Sequence, residues 1–234
     1  MTRHLDKEIE KLKRNTLGLS ALVEESVHKA IASIETGDLR LAEQVVESDN
    51  RIDEMEVDVE EECLKILALH QPVAIDLRFI VGVLKLNNDL ERIADLAVNI
   101  AEQARPLSAA GARGLPVKIR EMARAVESML GGSLDALVNL DTAAAWAVCA
   151  ADDAVDNLHR DTYGMIKMEI QKDPARTDVL IHYLSVSRYL ERIADHATNI
   201  AEDVIYLVDG DIVRHGGKRS VSRSSPRKSR PGER

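Results

Sequence analysis

LERIADLAVNIAE at residues 90–102 and LERIADHATNIAE at residues 190–202 are two writings of one thirteen-residue phrase, set 100 residues apart and different at only two positions. In each copy the spacing of Leu, Ile, Val and Ala is that of a helix with one apolar face. Each copy also sets a glutamate and an aspartate one helical turn apart, Glu91/Asp95 and Glu191/Asp195. Like charges at i, i+4 cost a helix a few tenths of a kcal/mol. An unfavourable pair written twice calls for something that neutralises it.

Outward from the two phrases, the chain reads as six helices. The first is predicted from about Arg3 to Glu35, with Leu5, Ile9, Leu12, Thr16, Leu19, Val23 and Ala30 on its buried stripe. Gly37 suits the left-handed turn beyond its end, and Asp38 suits the cap of the next helix. That second helix runs to about His70 and breaks at Gln71-Pro72. The third starts near Ala74 and ends around Arg105-Pro106, and the small residues of SAAGARG, 108–114, follow as a linker. The plan then restarts. A fourth helix from Pro116 to about Leu140 buries Ile119, Val126, Met129, Ser133, Leu137 and Leu140, with Gly131-Gly132 marking a kink or a close approach. Asp141 caps a fifth helix reaching about Lys172, and Asp173-Pro174 separates it from a sixth that runs from about Arg176 to Val208. The expected fold is all-α: two tandem antiparallel three-helix bundles, residues 1–107 and 115–212, joined by 108–114 and followed by a tail, 213–234.

A second pair of carboxylates follows the same repeat. Asp49 and Asp53 lie on the second helix, and Asp152 and Asp156 lie on the fifth, each displaced by 103 residues. The two caps keep the register, since Asp38 precedes Asp49 by eleven residues and Asp141 precedes Asp152 by eleven. In the first hairpin Asp53 stands 17 residues before His70, and Glu91 stands 17 after Ala74. At 1.5 Å per residue both lie about 25 Å from the turn, on one level of the bundle. Asp49 and Asp95 match in the same way, and in the second hairpin Asp156 stands 16 before Lys172 and Glu191 15 after Arg176, level to within one residue. Four carboxylates per unit converge in this reading, and such groups repel unless protonated or bridged by cations. Candidate metal ligands are therefore Asp49, Asp53, Glu91 and Asp95, with Asp152, Asp156, Glu191 and Asp195; all-oxygen sets suit hard ions such as Mg, Mn, Ca or iron. Asn99, Asn199, Glu102 and Glu202 recur on the same helix sides, either as supporting groups or as a solvated polar edge, while His196, standing where Leu96 does, is left out of the ligand set.

Composition excludes other classes. Aromatic residues are only 3% of the chain, which suits an aliphatic helical core. No apolar run reaches the roughly 18 to 20 residues of a membrane span, and MTRHLDKEIEKLKR lacks the apolar centre of a signal peptide. A cytosolic protein is the expectation. Cys63 and Cys149 lack metal or redox spacing and read as reduced packing residues, and Trp146 reads as packing or a partner contact. No phosphate loop or nucleophile elbow is present, so binding rather than catalysis is expected. The segment 214–234 carries eight Lys or Arg against one Glu in a chain of net charge −9, and its Ser-, Pro- and Gly-rich composition predicts disorder.

QPVAIDLRFIVGVLKLNNDLERIADLAVNIAE and SVSRYLERIADHATNIAEDVIYLVDGDIVRH resemble the PhoU family of phosphate-signalling regulators over almost the whole chain, to about His215. The resemblance implies multinuclear iron or zinc clusters on the repeated acidic motif, which falls on the same eight residues. It also implies a homodimeric negative regulator of the phosphate regulon. Its partners would be the phosphate ABC transporter, through the ATPase subunit, and a phosphate-sensing histidine kinase, with no nucleic acid and only a peripheral link to the membrane through those partners. Two other classes compete. A carboxylate-bridged di-metal oxidase of the ferritin type requires Glu-x-x-His on each of two helices, and that spacing occurs here only once, at Glu25–His28. A helical scaffold or tether fits the heptad stripes but leaves the matched carboxylates unexplained.

Overall fold

In a computed structural model, which describes residues 2–209, the chain forms α1 (Thr2–Thr36), α2 (Leu39–His70), α3 (Ala74–Ala109), α4 (Val117–Asn139), α5 (Thr142–Lys172) and α6 (Thr177–Asp209). A 3₁₀ turn, Pro174–Arg176, leads into α6, and there is no strand among the described residues. The all-α expectation is met; the basic tail lies outside the described residues. Local signals act as read. Gly37 takes φ +72°, Asp38 accepts from the Arg40 amide, and Asp141 accepts from the Ala143 and Ala144 amides.

Three local expectations need correction. α3 does not stop at Arg105-Pro106 but runs through Pro106 to Ala109. Proline removes one donor, yet Leu107 is buried beyond it, and the Ala110 and Ala112 amides bond back to the carbonyls of Pro106 and Leu107. Burial and that closing turn outweigh the lost bond, so the supposed linker begins inside the helix. Leu140 is not on the buried stripe: it is the left-handed C-cap of α4, φ 51°, and half of it meets solvent. Pro116 is the N-cap of α4 rather than its first helical residue. Gly131-Gly132 marks close packing without a break, since a Cβ on Gly132 would stand 3.1 Å from Val148 Cγ2 on α5.

The two units share one core. α3 packs against α1 and α2, α6 packs against α4 and α5, and α3 and α6 pack on each other at the centre, with α1 touching α4. The repeated phrase builds this centre: Leu90, Ile93, Ala94, Ala97, Ile100 and Ala101 on α3, and their counterparts 100 residues on in α6, are buried in one continuous cluster. Lys85–Asp203 at 2.8 Å, Asp89–His196 at 2.7 Å and Gln103–His182 at 2.8 Å set α3 and α6 antiparallel. Their register crosses near Ile93 and Ile193, a local twofold relating the units. No helix among the described residues is long and apolar enough to cross a membrane.

Candidate metal centre

Where the apolar face of each phrase turns into the core, its Glu and Asp are left at the rim, beside the neighbouring helix of the hairpin. All eight candidate residues come together as two sets of four. In the first, burial and then the charges of Asp53, Asp95 and Glu91 push the Asp49 carboxyl above its ordinary range. Glu91 is pushed up by burial, then by Asp95 and Asp53, with Arg92 and His196 opposing. In the second, burial followed by Asp195 and Asp156 raises Asp152. Burial, Asp156 and Asp152 raise Glu191, and burial, Glu191 and Asp156 raise Asp195. Asp53 and Asp195 are exposed, while the other six are half-buried.

Carboxyls held above their usual range are anions short of positive charge, which is the condition a bound cation relieves. The donors are oxygen, and the sets lie at the surface within reach of solution, so their chemistry fits divalent ions. Among the described residues, no group of three His, Cys, Asp or Glu is already gathered as the shell of one ion.

Several partners are absent from the sequence reading. Arg92, inside the phrase itself, lies 3.3 Å from Glu91 Oε2 and 3.4 Å from Asp95 Oδ2, so part of the neutralising charge is built in. Glu56 adds a fifth carboxylate to the first set, raised by burial and then by Glu60, Glu91 and Asp53. Asn87 Nδ2 donates to Glu56 Oε1 at 2.8 Å. The second unit puts His159 and Ser187 at the corresponding positions, and their Nδ1 and Oγ are also 2.8 Å apart. The i+3 spacing from Asp53 to Glu56 and from Asp156 to His159 is the signal that finds both. The supporting groups are not equivalent: Asn99 Nδ2 donates to the Asp95 carbonyl, whereas Asn199 Nδ2 donates to Asp89 Oδ1 across the centre. Glu102 lines an apolar groove of about 390 Å³, whereas Glu202 lines a more polar cavity of about 620 Å³ with Trp146, Cys149, Asp152, Asp195 and His196.

Burial lowers the His159 pKa below its ordinary 6.5. The native imidazole is thus neutral where the unfolded chain takes up a proton. Its contribution to stability is present above about pH 6.5 and is lost as pH falls through that value. Urea unfolding of chelator-treated protein between pH 7.5 and 5 should show a shallower decline for His159→Gln than for the parent chain; equal slopes would contradict the assignment. Burial likewise pushes the Cys63 thiol up to about 12 and the Cys149 thiol up to about 11. At pH 8 these leave roughly 10⁻⁴ and 10⁻³ of each as thiolate. Iodoacetamide should therefore label half-buried Cys149 before fully buried Cys63, which should react only on unfolding, as followed by peptide mass spectrometry.

A tandem helical repeat with one carboxylate set per unit defines the class. The PhoU domain model matches residues 16–104 and again 119–204. The PhoU homologue of Pseudomonas putida, a phosphate-specific transport system accessory protein, is 36% identical, covering 95% of this chain and 89% of its own. The homologue of the same description from Pseudomonas aeruginosa is 38% identical over 93% and 92%. The crystal structure of PhoU from Pseudomonas aeruginosa superposes with TM-score 0.85 at 37% identity, covering 88% of this chain and 99% of that one. That of the phosphate transport system regulatory protein PhoU from Streptococcus pneumoniae superposes with TM-score 0.79 at 28% identity, covering 90% and 100%. The chain belongs to the PhoU family.

Proposed function

We propose that this chain is an accessory and regulatory protein of a phosphate-specific transport system, holding phosphate-regulon signalling down when phosphate is plentiful. The observation that carries this reading is the match of both repeats, over nearly the full length, to relatives described as accessory proteins of such a system. It acts by contact rather than catalysis, on the phosphate ABC transporter through its ATPase subunit and on the phosphate-sensing histidine kinase. It works at the cytoplasmic face of the membrane, held there by its partners. Deletion of the chain should derepress a phosphate-starvation reporter in phosphate-replete medium, and pull-down from such cells should recover both partners. Unchanged repression after deletion removes the reading.

Asp49, Asp53, Glu91 and Asp95 would hold one metal cluster, and Asp152, Asp156, Glu191 and Asp195 the other, with iron or zinc as the ions and Mg, Mn or Ca as competitors. Bound ions would supply the positive charge that these crowded carboxylates lack. Support comes from the crowding of like charges in both sets. A homodimer fits the apolar surface at the α2–α3 turn, where Leu69, Val73, Ile75 and Leu77 are exposed and Ile75 shares a groove with Val138 and Leu140. Light scattering giving only monomer at micromolar concentration would exclude it.

A further inference from the structure

The two copies of the central phrase differ only at Leu96/His196 and Val98/Thr198, and both differences place polar groups at the second carboxylate set. Thr198 Oγ1 donates to Asp152 Oδ1 at 3.3 Å. His196 lines the same cavity as Asp152 and Asp195, and its Nδ1 lies 2.7 Å from Asp89 Oδ1 on α3. A carboxylate only accepts, so Nδ1 carries the proton, and Nε2 is the ring nitrogen left to meet a ligand. The imidazole and Asp89 are both mostly buried, with 18% and 15% of their side chains exposed, which fixes the ring against α3. A carboxylate that takes one imidazole N–H orients the ring and raises the basicity of the other nitrogen toward a metal. By the repeat, Tyr189 stands where Asp89 does and Leu96 where His196 does, so the first unit has no such device.

We infer that His196 is a nitrogen ligand of the second site, held by Asp89 from the other unit, so that the two sites differ in kind: all-oxygen in the first unit, mixed nitrogen and oxygen in the second. This rests on the metal-binding reading above. An imidazole ligand favours transition ions such as Zn²⁺ over hard ions such as Mg²⁺ or Ca²⁺. The second site is accordingly the tighter of the two for Zn²⁺, and the carboxylate that orients its imidazole comes from the other unit.

The full-length, chelator-treated protein titrated with Zn²⁺ by calorimetry tests this. Two classes of site are expected. His196→Leu, which copies the first unit, should weaken the tighter class by about 10- to 100-fold and leave the weaker class in place; Asp89→Asn, which keeps the imidazole, should weaken the same class by about 10-fold. Proton NMR of the Co²⁺-loaded protein should show an exchangeable, paramagnetically shifted imidazole N–H that His196→Leu lacks, a signal that mere helix packing would not give. If His196→Leu changes neither class, or weakens both alike, or if the shifted resonance is missing from the parent, His196 serves only to join α3 to α6 and the inference falls while metal binding stands. If the parent protein takes up neither Zn²⁺ nor Co²⁺, both readings fall together.

Discussion

Asp95→Asn is expected to halve the amount of metal the protein carries, with the loss confined to the first unit. The substitution keeps the size of the side chain and removes one charged oxygen from the set that Asp49, Asp53 and Glu91 complete. The Asp152, Asp156, Glu191 and Asp195 set stands on other helices and should keep its ions. The effect on stability should change sign with metal. In chelator-treated protein the change relieves repulsion from Glu91, worth a few tenths of a kcal/mol, against a weak contact with Arg92 at 3.4 Å. The result is a nearly neutral or mildly stabilised chain. With metal in excess the parent gains RT ln(1 + [L]/Kd), about 2.7 kcal/mol at 100 times Kd, which the variant's first site forgoes. Metal content by mass spectrometry and melting curves with and without metal read both effects. If neither changes, the carboxylates are a solvated helix edge.

Ile193→Ala should lower the melting temperature of the whole protein in a single transition. Ile193 is fully buried where α6 crosses α3, and deletion of such a side chain costs about 2 to 5 kcal/mol, because the cavity left behind closes only in part. For a chain of this size that corresponds to roughly 4–20 °C. Two units with separate cores would show two transitions, the first unit's unchanged. One continuous cluster instead joins them, so both should melt together, and Ile93→Ala should give a loss of similar size. Calorimetry that resolves an unaltered first transition in Ile193→Ala would contradict the shared core.

Much of this was legible before any coordinates. Gly37, Asp38 and Asp141 announce helix ends by local chemistry, and equal residue counts from the hairpin turn suffice to bring Asp53 level with Glu91. What the sequence hides is what depends on helices far apart in the chain. Pro106 is read as a stop because its missing amide is a local fact, whereas the burial of Leu107 that carries α3 onward is a tertiary one. Leu140 fits a helical stripe by spacing, yet its left-handed φ turns it to solvent. The antiparallel crossing of α3 and α6 cannot be read from either hairpin alone. It decides that Asp89 finds His196, a residue 107 positions away.

The junction of α3 with α6 has the geometry of a symmetric dimer interface, with equivalent residues facing each other about a twofold, yet it lies within one chain. Two identical subunits meeting there would have to carry every residue twice: a histidine at one site would bring a histidine at the other, and an aspartate opposite one would face an aspartate opposite both. Tethering two copies of the unit in one polypeptide lifts that obligation. Asp89 and His196 can form a hydrogen bond on one side of the axis while Leu96 and Tyr189 stand at the equivalent positions on the other. Duplication thus lets the two halves of one molecule diverge in what they recognise while the helices between them remain in register.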